Sequence, residues 1–228
     1  MWGKLLYAAL AAIVTAVARK VPDFAAYQWS SLKDWWDGKC IAIIGPTASG
    51  KNSLFNKLQG LEAPKIHIQT RGAEKVETFN FNWPLPDKEK VSFRCKRSIN
   101  VGGETDERDR YWMESCSDAD VIFYIVDIEK IIDENESTMD RIKSDVQWIS
   151  SNVNGLKSGS CIQILLNKID TIYDNSDPVD GLSKIEAQIS PHIDNLEEVF
   201  KRILGANFHK ISGISPISMV NSHLFGRY

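Results

Sequence analysis

The stretch that most narrows what this chain can fold into runs from Lys39 to Gly60. It opens with KCIAII, a short apolar run rich in β-branched residues, which reads as a strand buried on both faces. That run leads directly into GPTASGKNS, residues Gly45 to Ser53, and then into the helix-like LFNKLQG. Gly45 and Gly50 permit positive φ, so the loop through Pro46, Thr47, Ala48 and Ser49 can curl with its N–H groups facing inward. The helix that follows contributes partial positive charge at its N-terminus, and Lys51 adds a full charge. Together these features make a cradle for phosphate oxygens.

Strand, glycine loop, lysine and helix in this order are the context of the P-loop pattern. GPTASGK alone also resembles the loop of tRNA dimethylallyltransferases and other P-loop transferases, but the rest of the chain decides against them. CIQILL, residues 161–166, is a second buried-strand run, and it ends in Asn167-Lys168-Ile169-Asp170. This NKxD resembles the base-recognition element of Ras-like GTPases. A carboxylate at Asp170 can accept from both N1–H and the exocyclic amine of guanine, a pair that adenine does not offer. By the same resemblance, Asn167 ties the loop to the base edge and the Lys168 stem lies over the ring. Buried polar groups of this kind reject the wrong base because they would be left unpaired.

Between these motifs lies Ile99-Asn100-Val101-Gly102-Gly103-Glu104, followed by ETDERDRYW. It resembles the DVGGQ switch of Arf-family GTPases. The resemblance gives Gly103 the backbone N–H that senses the γ-phosphate. Asn100 stands where that family has the Asp that holds Mg²⁺ through water, and Glu104 where it has the Gln that orients the attacking water. Upstream, Thr70-Arg71-Gly72 is similar to the first Arf-type switch, whose threonine contacts Mg²⁺ and γ-phosphate. Ile214 to Ser218 resembles the strand leading to the last guanine-contacting loop, with Ser218 and Met219 at its tip. The position after the P-loop lysine, usually a Ser or Thr that binds Mg²⁺, is Asn52. Ser53 follows one place later.

The resemblance covers residues 39–220 and implies an α/β fold, a P-loop NTPase G domain with a mainly parallel six-stranded sheet and helices on both faces. It implies GTP or GDP as cofactor. Mg²⁺ is held weakly, by Asn52 and Thr70, because amides replace a hydroxyl and a carboxylate. Lys51, Thr70 and Glu104 are the candidate catalytic residues for hydrolysis of GTP to GDP. Since Glu104 would repel the γ-phosphate, turnover is expected to be slow or to depend on a partner. Two readings stay open. One is a switch that recruits a protein effector, and the other a pseudo-GTPase that uses the fold as a docking surface.

Local patterns fill in the rest. Phe79, Phe81 and Trp83 alternate with asparagines, residues 84–90 turn, and Val91, Phe93 and Cys95 alternate again, which predicts a hairpin. Val121 to Val126 reads as a buried strand ending at Asp127. Met139, Ile142, Val146 and Ile149 recur at helical spacing. Ser190-Pro191 is expected to begin a helix carrying Ile193, Leu196, Phe200 and Ile203, which Gly205 stops. The residues after Ser218 are too few for the full final helix of a Ras-like domain, so either the chain is truncated or another segment covers that face, with the N-terminal segment the candidate.

Residues 1–36 form a separate unit before a domain at 37–228. Leu5 to Ala18 is an uncharged run of fourteen residues between Lys4 and Arg19-Lys20. As a helix it would be about 21 Å long, against a hydrocarbon core of about 30 Å. Phe24, Tyr27, Trp29, Trp35 and Trp36 follow, as in an interfacial belt. A membrane anchor leads the alternatives, with the domain facing the cytosol. A helix packed on its own domain and a cleaved signal peptide are the others.

With 43% hydrophobic and 25% charged residues, the chain has the composition of a globular domain. Its net charge of −3 gives no pull toward nucleic acid, and no nucleic-acid partner is expected. The basic run Arg94-Cys95-Lys96-Arg97 reads as the solvated face of a strand. Cys40, Cys95, Cys116 and Cys161 form no CxxC pair, so neither zinc nor a redox motif is expected.

Overall fold

A computed structural model of the protein describes residues 38–59, 72–84, 90–172 and 180–220. The expected anchor at 1–36 and the candidate Thr70 lie outside the described residues. Within them no helix is long and apolar enough to cross a membrane.

The elements alternate as the apolar runs predict. They are β1 (Lys39–Ile44), α1 (Lys51–Leu58), β2 (Ala73–Val76), β3 (Phe79–Pro84), β4 (Lys90–Val101), α2 (Thr105–Cys116), β5 (Val121–Asp127) and α3 (Ile128–Ile132). Then come α4 (Glu136–Asn152), β6 (Cys161–Asn167), α5 (Asp180–Leu204) and β7 (Ile211–Ile217). The strands make one sheet in the order β2-β4-β1-β5-β6-β7, with β3 also on β4. β4, β1, β5, β6 and β7 run parallel, while β2 and β3 are antiparallel to β4.

The described sheet therefore has seven strands rather than six. The reason lies in the length of β4. β3 pairs with Lys90 to Cys95 and β2 with Ser98 to Val101, so two short strands share one edge. The chain leaves strand geometry between them at the exposed Glu77 and Thr78.

Both faces of the sheet are buried. Ala42, Ile44, Ile122, Tyr124, Ile164 and Leu166 join one cluster with Trp112 of α2, Ile142 and Val146 of α4, and Leu196 and Phe200 of α5. Ile41, Ile43, Phe123, Ile125 and Leu165, one residue out of phase, point the other way and are no more than 1% exposed. Trp112 meets Tyr124 and Trp148 edge-on, at centroid distances of 6.3 and 5.4 Å. All four cysteines are buried and free. In the basic run of β4, Arg94 and Lys96 are exposed while Cys95 between them is buried.

The last helix departs from its predicted start. α5 begins at Asp180, not at Ser190, and Pro191 lies inside it. Ile185 and Ile189, buried upstream of the proline, extend the apolar face that Leu196 and Phe200 continue. Their burial outweighs a proline penalty of about 3 kcal/mol. Ser190 Oγ donates to the Glu186 carbonyl at 2.7 Å. Gly205, at φ +53°, ends the helix as expected.

Register decides what gathers at one end of the sheet. Ile43 lies beside Asn100 on one side and Phe123 on the other, and Asp127, Asn167 and Ile217 form a row across β5, β6 and β7. The loops that leave the carboxyl ends of these strands are therefore neighbours, the usual location of ligand sites in open α/β sheets.

Candidate functional site

After β1 the chain turns at Gly45, with φ +135°, where a Cβ would come within 2.3 Å of the Ile125 carbonyl oxygen. Ala48 has φ +62°, and Gly50, at φ +102°, leaves room for the Asn167 side chain. The loop so formed wraps the head of Lys51, which is 6% exposed and donates to the carbonyls of Gly45 at 3.0 Å and Pro46 at 2.7 Å. Burial first, and then the positive charge of Arg141, pull Lys51 down to about 8, with Asp145 and Glu104 opposing. Ser49 is buried, and among the described residues its Oγ has no hydrogen-bond partner. The curled loop thus carries a buried hydroxyl with a donor to offer.

The Gly102–Glu104 segment lies directly against this loop. A Cβ on Gly103 would come within 2.4 Å of Thr47 N and 2.6 Å of Lys51 Nζ, so only glycine allows the approach. Thr47 Oγ1 donates to Glu104 Oε1 at 3.0 Å. Gly72, just beyond Thr70, accepts from Gly102 N at 2.9 Å and donates to Glu107 Oε2 of α2 at 2.8 Å. Asn100, fully buried, donates its amide to Asn52 Oδ1 at 2.8 Å. Ser53 is half-buried on α1.

The third loop belongs to β6. Asn167 Nδ2 donates to the Ser49 carbonyl at 2.9 Å, and its Oδ1 accepts from Met219 N at 3.2 Å. Lys168 takes left-handed geometry, φ +73°, which turns its ammonium to Asp127. Asp170 accepts from Ser218 Oγ, and that same oxygen accepts from Val220 N at 3.2 Å.

The structure thus brings together the loop from Gly45 to Lys51, Asn52, Gly103, Glu104, Asn167, Lys168, Asp170, Ser218 and Met219. Sequence reasoning missed two participants. Asp127 was read only as the end of a strand, although a carboxylate closing the buried run VIFYIV is itself a signal. Arg141 carried no motif. It lines a cavity of about 190 Å³ with Thr47, Ser49, Gly103, Glu104 and Asp127.

Among the described residues no group of three or more His, Cys, Asp or Glu could hold a metal ion. No protein-family model matches the chain, and no curated protein does. A crystal structure of a mutation variant of SsGBP is similar at 21% identity, over 83% of this chain and 53% of that one, with a TM-score of 0.45. The chain spans about half the length of that protein.

Proposed function

We propose that this protein is a P-loop, Ras/Arf-like guanine-nucleotide-binding switch. It binds GTP or GDP at the carboxyl end of the sheet, hydrolyses GTP slowly or only with a partner, and is tethered to a membrane through residues 1–36. The observation that carries the reading is the Asn167 bridge. One side chain ties the Gly45–Lys51 loop at Ser49 to the last loop at Met219, and Asp170 sits three residues further on against Ser218. Two loops at the carboxyl end of the sheet are thereby linked through one side chain, which supports a ligand that spans both, a nucleotide rather than a simple anion. A carboxylate at Asp170 supports guanine.

The residues present fit Mg²⁺ poorly. Asn52 and Asn100 are neutral amides already bonded to each other, and a hard dication prefers charged oxygen ligands. Nucleotide binding with little Mg²⁺ dependence follows. Glu104 acts on the same side of the balance, because its carboxylate beside Thr47 repels a γ-phosphate. The amide pair also favours a second reading, an interaction module with weak or no turnover.

Fluorescent GDP, GTP and ATP analogues titrated into the full chain, with and without Mg²⁺, test this. The expected result is guanine-selective binding that changes little on chelation and loses at least about 100-fold selectivity in Asp170→Ala. Rapid single-turnover hydrolysis would overturn the slow-turnover part. No binding of any nucleotide would leave the interaction module.

A further inference from the structure

Arg141 stands in the second turn of α4 and reaches across to the loop that follows β4. Its Nη1 donates to Thr105 Oγ1 at 2.6 Å, its Nη2 lies 3.5 Å from the Glu104 carbonyl, and its Nε donates to Asp145 at 2.8 Å. These acceptors take three of the five guanidinium N–H donors. Arg141 is one of two arginines on Asp145, and the other, Arg108, also pairs with Asp109 at 3.0 Å. The carboxylate is fully buried and accepts from Arg108 at 3.1 Å and from the Tyr124 hydroxyl at 3.0 Å, and Arg108 is itself buried.

Arg141 holds Asp145 through Nε alone, and it lines the cavity with Thr47, Ser49 and Gly103 of the neighbouring loops. Around the cavity Asp127 pairs with Lys168 and Arg141 with Asp145, so Lys130 and the neighbouring Lys51 are set against Glu104. Lys51 is lowered first by its burial and then by Arg141, with Asp145 and Glu104 opposing, so an anion placed here meets a cation already withdrawn from water.

We propose that Arg141 is the residue that binds the terminal phosphate of a nucleoside triphosphate at this site, reaching it from α4 within the same chain, and so sets the preference for triphosphate over diphosphate. This rests on the nucleotide reading above. A planar guanidinium with two N–H groups to spare matches a phosphate edge, and it supplies fixed charge where the paired amides of Asn52 and Asn100 supply none. The diphosphate, held by the loop and Lys51, does not require it.

The test uses the full chain with fluorescent GDP and a non-hydrolysable GTP analogue, in the native protein, Arg141→Gln and Arg141→Lys. Arg141→Gln is expected to weaken the triphosphate at least about tenfold and leave GDP within about twofold. Arg141→Lys keeps the charge and the link to Asp145 but loses the fork, so it is expected to lose triphosphate affinity to an intermediate degree. It also decides the question should Arg141→Gln fail to fold. Equal losses for both nucleotides, or none, would overturn the assignment of Arg141. A native chain that binds neither nucleotide would overturn the nucleotide reading, and this inference with it.

Discussion

Asn167 and Ser49, 118 residues apart in sequence, are joined by a hydrogen bond of 2.9 Å from the asparagine amide to the serine carbonyl, buried at the end of the sheet. The other end of the same amide receives Met219 N. Three loops from three strands are thus joined by one side chain.

Removing that side chain isolates the effect. In Asn167→Ala the Ser49 carbonyl and the Met219 amide each lose a partner in a buried setting, and a cavity opens beside Gly50. A stability loss of about 2–3 kcal/mol is expected. Urea denaturation reads it, and an unchanged midpoint would show that the three loops are held together by other contacts.

Gly103 is where two loops meet most closely. A methyl group there would press on the backbone at Thr47 N and Pro46 C and on Lys51 Nζ. Gly103→Ala is expected to lower nucleotide affinity at least about tenfold and to cost about 1–3 kcal/mol of stability. Nucleotide titration and a thermal melt on the same sample check both halves.

Lys51 makes the pH dependence of stability specific. The folded chain holds it at about 8 and an unconstrained lysine titrates near 10.5. Between those values the unfolded chain keeps a proton that the folded chain has released, so this group makes stability rise with pH across the window. Below about pH 8 both states are charged and the folded state carries the burial penalty, on the order of 3 kcal/mol. Lys51→Met removes the titration. Relative to it, the native protein is expected to gain stability between about pH 8 and 10 in parallel denaturation curves. A native chain that loses stability relative to Lys51→Met over that range would contradict a buried, depressed lysine.

Much of this architecture was legible in the chain because buried parallel strands are written as unbroken apolar runs. KCIAII, VIFYIV and CIQILL needed only their neighbours' loops to be ordered. The glycine loop and the NKID turn were equally plain, since each requires particular residues at particular backbone angles. What stayed hidden depended on tertiary contact. Nothing in the alternation of β3 reveals that β2 shares its edge of β4, because that follows from the length of β4. Asn52 and Asn100 could each be seen as a departure from a motif, but not as partners at 2.8 Å. Arg141 was silent because the path of α4 across the sheet, not a local pattern, carries it to the loop.

Pro191 has one more consequence. The ring removes an N–H from the middle of a 25-residue helix, so the ladder of bonds is interrupted between the turn anchored by Ile185 and Ile189 and the turns anchored by Leu196 and Phe200. Amides upstream of the proline can open to solvent exchange without the downstream half unwinding, which makes α5 two units of local stability. The N-terminal one is the helix segment that directly follows residues 173–179, on the sequence side of Asp170.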